Sequence, residues 1–412
     1  MSNSFKVIDM IGKEALRIAH EKLTFIGTVD RQYDDSFKDN GKGKIGSTLR
    51  VREPNKYTRR QGSRVMDVQD QAESSQTITV ATQDGVDMKF NSAELIQSVN
   101  SGAAFDDLSK MYIEPAVASM LSGIESDFLA YCTKATYQVA GSAGTGITTL
   151  EVPGKARAKL NQQLAPKDRR CVQFDSVTMA AVVNGTAAYF APNKDVSERN
   201  REGFISRTAM ADFYENERIW TLANNNDVTG TTDAAAQVTD GGTTVDMADT
   251  ITNAAVGAVF TIAGVYDCHP ETKAAYPHLK QFTVVSNASG VCTVSPATIL
   301  TGAKKNVCSS TGANLATTDF NSKTLTWVGA ASTSYVQPIM YHPEAFQFIT
   351  ADLPLMDDAQ KCQRFNKDGL SVRVWMGSDI RNDELLVRLD ILYGMAALRP
   401  EWACRMVGAA NA

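Results

Sequence analysis

Cys268, His269, Glu271 and His278 form the only plausible metal-ligating cluster in the sequence. Thiolate and imidazole suit zinc, but no pair among these four has a recognised zinc spacing. Pro270 and Pro277 interrupt the stretch, so its plain reading is a strand end followed by a loop. His20-Glu21 opens like a zinc helix, yet Thr24 stands where the second histidine belongs. The pairs Asp34-Asp35 and Asp357-Asp358 have the types for acid/base work, but adjacent carboxylates on a turn ordinarily face water. Gly41-Lys42-Gly43-Lys44-Ile45-Gly46-Ser47 carries phosphate-loop letters in the wrong order, and Gly141–Gly146 has no lysine after it. Both read as flexible loops. No nucleophile-elbow pattern occurs. The sequence therefore predicts no catalytic, metal or cofactor residue and no enzyme activity.

The elements that would position these groups follow from periodicity. Residues 7–23 predict an amphipathic helix through Val7, Ile8, Ile11, Ala15, Ile18 and Ala19. Such a helix is marginal alone and needs a surface for its apolar stripe. Thr48–Arg52 and Gln76–Val80 alternate as short strands, and Val86–Phe90 alternates after them. A long helix is predicted from Pro115 to Lys134, with Val117, Met120, Leu121, Ile124, Phe128 and Tyr131 as its stripe. At 1.5 Å per residue it would span about 30 Å. Further helices are expected near 154–164 and 176–184, the second capped by Asp175. Leu370–Val374 and Leu385–Ile391 predict a long antiparallel pair that Tyr393-Gly394 ends.

Charge is unevenly spread. The 412 residues carry a net −5, which argues against a protein that coats nucleic acid through bulk charge. Yet between Lys38 and Arg64 stand nine lysines or arginines against Asp39 and Glu53, a local net of +7. The tip at 53–75 is longer than compact domains ordinarily leave unstructured, and a two-stranded ribbon is marginal alone. Three readings fit this basic arm: a solvated loop, phosphate contact, or docking on an acidic patch of a neighbouring copy. The last is favoured, because an arm that cannot fold alone gains most from a fixed partner surface.

Composition shifts again at 223–335, where only 13 of 113 residues are charged and 20 are threonine. Val259–Ile262 and Phe282–Val284 favour strands there, so a small all-β insertion is predicted, bracketed by Asn224–Asn226 and 329–332. Seven scattered cysteines, none closer than 16 positions to another, read as buried thiols of a reducing compartment. No run of 18 apolar residues occurs, and no membrane partner is expected.

In this order the parts resemble the major capsid proteins of tailed bacteriophages, and more narrowly the coat proteins of the short-tailed Salmonella phage group. Gly257, Phe260–Val265 and Leu279–Val285 look like that family's insertion-domain core. Leu392-Tyr393-Gly394 and Leu398–Glu401 look like its C-terminal signature, and Ile113–Ala116 with Ile124-Glu125 resembles its spine-helix opening. Ala258 departs from the aspartate the family commonly has after the glycine.

The resemblance implies an α+β tailed-phage capsid fold with an inserted all-β domain. Its parts would be an N-terminal helical arm (1–30), an extended loop (31–82), a peripheral domain with the spine helix (83–153) and a first axial part (154–222). The inserted β domain (223–335) and the axial and peripheral remainder with C-terminal strands (336–412) would follow. It implies self-assembly through hexamers and pentamers into an icosahedral shell around double-stranded DNA. Scaffolding, portal and possible decoration proteins would be partners, with assembly in the host cytoplasm and a final place in the virion. Lys42, Lys44, Arg50, Arg52, Arg59, Arg60 and Arg64 of the extended loop are the expected contacts between subunits. The competing reading is a surface adhesin or glycan reader built on the threonine-rich β segment.

Overall fold

The computed structural model describes residues 23–31, 48–59, 62, 66, 68, 75–91, 114–186, 211–224, 229–248, 251, 253–356, 361–367 and 370–409. Residues 7–22 of the predicted helix, the aspartate pairs and the glycine-lysine stretch at 41–47 lie outside them.

In chain order the strands and helices begin with β1 (Thr48–Arg52), β2 (Ser75–Thr79), β3 (Thr82–Asn91), α1 (Glu114–Ala135), β4 (Val139–Ala140), α2 (Glu151–Gln162), β5 (Cys171–Phe174) and α3 (Ser176–Thr186). Next come β6 (Asp212–Glu215), β7 (Thr221–Ala223), β8 (Thr229–Thr231), β9 (Gly242–Asp246), β10 (Val259–Cys268), β11 (Ala275–Ala288), β12 (Val291–Thr298), β13 (Val307–Cys308) and β14 (Thr324–Trp327). The last are β15 (Ser334–Val336), β16 (Ile339–Tyr341), β17 (Phe346–Ala351), β18 (Lys361–Lys367), β19 (Leu370–Asp379), β20 (Glu384–Ala397) and β21 (Ala403–Met406). The chain divides into two compact units. Met1–Val51, Gln76–Phe128 and Phe346–Ala396 make the first; Arg52–Ser75, Leu129–Ala345 and Ala397–Ala412 make the second.

In the first unit, β17, β20, β19 and β18 lie side by side, and β3 runs antiparallel along β20 from Asn91 opposite Glu384 to Thr82 opposite Tyr393. The predicted pairing of β19 with β20 is present, with Arg373 opposite Asp390. That cross-strand pair is buried and closes at 2.6 Å. β20 does not end at Tyr393-Gly394 but continues to Ala397, past the last residue paired with β3. The glycine has its own reason: a Cβ at Gly394 would stand 2.4 Å from the carbonyl oxygen of Thr79.

The core of this unit is a chain of aromatic rings. Phe25 meets Phe128 at 5.0 Å, Phe128 meets Phe348 at 5.2 Å, and Phe348 meets Tyr393 at 5.5 Å between centroids. Each such contact adds about 1 kcal/mol beyond the area it buries. Helix α1 presents Val117, Leu121, Ile124 and Phe128 as the sequence predicts. Glu125, beside that stripe, is also fully buried. Its carboxylate accepts from the backbone N–H of Phe25 and from Thr24 Oγ1 at 3.2 Å, which fastens residues 23–31 to the helix. Tyr131 departs from the expected stripe and is 39% exposed, while Cys132 takes the inward place. The three-and-four alternation of a helical stripe permits either position, and the smaller thiol is the one enclosed.

In the second unit, β4, β21, β16, β5 and β6 form a five-stranded sheet. Its apolar face, through Val172, Phe174, Met340, Cys404 and Met406, packs on Ala156 and Leu160 of α2 and on Met179 and Val182 of α3. Asp175 caps α3 as predicted, accepting from the N–H of Thr178 at 3.0 Å.

Residues 229–327 of the same unit supply all strands of a seven-stranded sheet ordered β8-β14-β10-β11-β12-β9, with β13 on β10. Alternation explains the start of β10, where Phe260 and Ile262 face the core. The phase then slips by one at Gly264, whose φ of +86° admits a bulge, and Val265 becomes the next core residue. The expected linkers on either side are stitched together. Asn224 donates through Nδ2 to the carbonyls of Val328 (3.1 Å) and Ala330 (3.2 Å), and β7 pairs with β15.

Candidate assembly surfaces

Two of the expected contact residues share one face of a ribbon. β1 pairs with β2, and Arg50 and Arg52, two residues apart on β1, both project outward and are exposed. Leu49 and Val51 point the other way and are half-buried, and Ile78 on β2 is fully buried. Arg59 is exposed beyond the ribbon, where Tyr57 is also 56% exposed. Lys42, Lys44, Arg60 and Arg64 lie outside the described residues. The ribbon thus presents guanidinium groups outward, a surface suited to bidentate contact with carboxylates.

A surface of opposite character lies in the first unit. Asp84 and Asp87 on β3, with Arg388 and Asp390 on β20, line an open hollow of about 360 Å³. Asp84 accepts from Tyr393 Oη at 2.7 Å, and Asp87 accepts from Arg388 Nε at 2.8 Å. Burial, and then the Asp84 carboxylate, pushes the Tyr393 phenol well above its ordinary range. β3 can pass over Asp390 only through a glycine: a Cβ at Gly85 would come 2.5 Å from the Leu389 carbonyl and 2.6 Å from Asp390 Oδ1. Arg388 offsets Asp87 and Arg373 offsets Asp390, so three carboxylates against two guanidinium groups leave the hollow with one net negative charge.

The second unit contains two buried polar junctions that sequence reasoning did not find. The first is Arg405 on β21, with 0% exposure. Nε donates to the Thr136 carbonyl just past α1 (2.6 Å), Nη1 to the Gly257 carbonyl (2.7 Å) and Nη2 to Thr283 Oγ1 on β11 (2.9 Å). No carboxylate is among those three partners, and burial lowers the guanidinium pKa to about 9. The helix end is a favourable place for this cation, because unpaired carbonyls concentrate partial negative charge there. Thr283 Oγ1 donates in turn to the Lys134 carbonyl at 3.1 Å. Beside this junction Gly257 adopts φ +88°, and a Cβ on it would meet Trp220 Cη2 at 2.7 Å and Lys134 Cγ at 3.1 Å. One arginine therefore ties the last turn of the helix, the seven-stranded sheet and the C-terminal strand. The available signal was local: Arg405 interrupts the otherwise apolar run from Ala403 to Val407.

The second junction centres on Asp267 of β10. Its Oδ1 accepts from Lys280 Nζ at 2.8 Å and from the N–H of Cys268 at 2.9 Å; its Oδ2 accepts from Gln163 Nε2 at 2.9 Å. His278 Nε2 stands 3.5 Å from Oδ2. Burial opposes the charge of Asp267, but Lys280, His278 and the Cys268 N–H outweigh it and hold the pKa at about 2. Lys280 also lies 5.0 Å from the centroid of the Tyr137 ring. Gln281, next on β11, accepts from the N–H of Val139 at 2.9 Å and from Lys159 Nζ. The seven-stranded sheet is thereby keyed to α2 and β4 by side-chain bonds.

The weighed metal cluster takes a different form. His269 Nδ1 accepts from the N–H groups of Glu271 and Thr272, at 3.1 and 3.2 Å, and so closes a turn. His278 stacks on Tyr276 at 5.4 Å. Among the described residues no group of three His, Cys, Asp or Glu side chains is arranged to hold a metal ion. Gly141–Gly146 is an ordered turn: Gly144 donates to the Gly408 carbonyl at 3.1 Å, and the backbones approach so closely that a Cβ on Gly141 would stand 2.8 Å from the Val407 oxygen.

Comparison with known proteins finds similarity to a viral coat-protein family over part of the chain. Residues 218–408, just under half of the chain, match the family model described as P22 coat protein, gene protein 5. The resemblance to tailed-phage coat proteins read from Gly257, Phe260–Val265, Leu279–Val285, Leu392–Gly394 and Leu398–Glu401 is thus borne out over the stretch that contains all of those residues. No curated protein matches the chain. Similar solved structures include Mycobacterium phage Che8, at 9% identity and TM-score 0.48, covering 93% of this chain and 90% of that one. The capsid of cyanophage P-SCSP1u is similar at 9% identity and TM-score 0.43, covering 88% and 84%. A virus-like particle from Pyrococcus furiosus is similar at 7% identity and TM-score 0.42, covering 97% and 99%.

Proposed function

We propose that this chain is the major capsid protein of a tailed phage, a structural protein without enzymatic activity that builds the icosahedral shell around double-stranded DNA. Copies associate as hexamers and pentamers into a scaffold-assisted precursor with a portal, which then expands. The observation that carries this reading is the family match across 218–408, which spans the seven-stranded sheet and the C-terminal strands together. Physical features agree with it. The sheet is tied to α1 and β21 through Arg405, and to α2 through Asp267, so it is built as a load-bearing part. A freely hinged glycan-reading module would have no need of those bonds.

The extended loop is 31–82 in this reading, and the inserted β domain is 223–335. Arg50, Arg52 and Arg59, with Lys42, Lys44, Arg60 and Arg64, contact an acidic surface of the next subunit. The hollow at Asp84, Asp87 and Asp390 has the charge to receive them. Individually weak contacts suffice, because heterologous contacts that close into rings accumulate avidity. The test is co-expression with a cognate scaffolding protein and negative-stain microscopy. Closed particles of uniform size support the reading; a monomer under every assembly condition overturns it.

A further inference from the structure

We propose that Cys268 and Cys308 form a redox-sensitive modification site, a thiol pair that closes to a disulfide when the chain meets a small-molecule disulfide oxidant. The sequence hides the pair, since 40 positions separate its members. The fold brings them together. β13 pairs antiparallel with β10, with Cys308 directly opposite Tyr266. Cys268 is two residues beyond Tyr266 on β10, so both cysteine side chains project from the same face. The two thiols are near enough for Cys268 to raise the pKa of Cys308.

The surroundings keep the pair reduced at rest and leave it a way to react. Both residues are free and buried, at 2% and 0% exposure. Cys268 Sγ donates to the Lys273 carbonyl at 3.3 Å, and Cys308 Sγ lies 3.7 Å from the Asp267 carbonyl. Burial, and then Cys268 itself, pushes the Cys308 thiol up to about 12. Two lysines stand beside the pair and favour a thiolate once solvent enters. Lys305 is pinned by the Gly312 carbonyl at 2.9 Å and by Asn314 Oδ1 at 2.7 Å, and Lys273 Nζ donates to the Lys305 carbonyl at 3.2 Å. β13 is only two residues long, so local opening of this edge is the route by which oxidant reaches Cys308. By contrast Cys292 faces Met247 Sδ at 3.6 Å, a neighbour that cannot form a disulfide.

With glutathione disulfide the step balances. One protein thiolate attacks the oxidant and expels one glutathione thiolate. The second protein thiolate then attacks the mixed disulfide and expels the other, so two electrons and two protons end on two glutathione molecules. The product staples the loop carrying β13 to β10. A reducing compartment holds the pair open, and an oxidising one closes it.

The test uses the full chain, incubated folded with glutathione disulfide or with a reductant. Non-reducing digestion with mass spectrometry and a thermal melt follow. The expected result is a Cys268–Cys308 linked peptide as the dominant oxidised species, with a melting temperature higher by roughly 5 °C than the reduced form. Both signals should vanish in Cys308→Ala and, independently, in Cys268→Ala, each checked for native circular dichroism. Absence of the linked peptide, glutathione retained on one cysteine without closure, or scrambling among the other cysteines would overturn the proposal.

Discussion

Replacing Arg405 with alanine removes a side chain whose three donors end on three buried acceptors from three different segments. The loss has two opposing parts. Taking a guanidinium out of water is costly, and the wild-type fold already bears that cost without a carboxylate among the three partners. Truncation gives some of this back but leaves the Thr136 and Gly257 carbonyls and Thr283 Oγ1 without their donor, at about 1 to 3 kcal/mol for each that water cannot reach. It also opens a cavity the size of an arginine side chain. The net expectation for Arg405→Ala is a loss of about 3 to 5 kcal/mol, or a fall in melting temperature of roughly 10 °C for a unit of this size. Arg405→Lys keeps the charge but cannot reach all three acceptors, so it should fall between wild type and alanine. The sign with pH is also fixed. The folded-state pKa, about 9, lies below the ordinary 12.5, so the desolvation cost is fully present below pH 9 and is relieved as pH rises from there toward 12.5. Urea unfolding of the three proteins, followed by circular dichroism, measures the differences. An alanine variant within about 1 kcal/mol of wild type would refute the view that this arginine joins helix, sheet and C-terminal strand.

Other outcomes follow from the same geometry. Gly257→Ala should destabilise by about 2 kcal/mol or more, since φ is +88° and the new methyl meets the Trp220 ring; a thermal melt with tryptophan fluorescence reads both effects. Asp267 has a depressed pKa, so its contribution of about 2 kcal/mol is present above pH 4 and lost as pH falls toward 2. Acid unfolding of Asp267→Asn should lack that loss, while at neutral pH the variant starts about 3 kcal/mol weaker with Lys280 left buried. Glu125→Ala should free residues 23–31 from α1, seen as faster hydrogen exchange at the Phe25 amide with the aromatic core otherwise retained.

Much of the frame was legible because local rules and tertiary structure agreed. Helix α1, the Asp175 cap of α3, the ribbon strands and the β19–β20 pair all follow from period and turn chemistry. Side chains whose role depends on a distant partner were not legible. Glu125 reads as one more polar position on a helix, and only Phe25, 100 positions away, makes it a buried acceptor. Arg405 and Asp267 are the same case, since hydropathy patterns assign charge to the surface and cannot see which buried groups will satisfy it. The Gly264 bulge explains why simple alternation in β10 fails halfway along the strand. Lys42, Lys44, Arg60 and Arg64 rest on the resemblance and on charge density.

The central claim is that copies of this chain bind one another through the basic arm. The most direct measurement is to assemble a mixture of nitrogen-14 and nitrogen-15 labelled chains and couple lysines to carboxylates with a zero-length reagent. Lys56, exposed on the arm, then reports whether its partner carboxylate belongs to its own chain or to a neighbour. The account predicts mixed-isotope cross-links at Lys56 in assembled particles and their loss when Arg50 and Arg52 are reversed to glutamate. Cross-links confined to single chains in closed particles, or unchanged assembly of the charge-reversed protein, would contradict it.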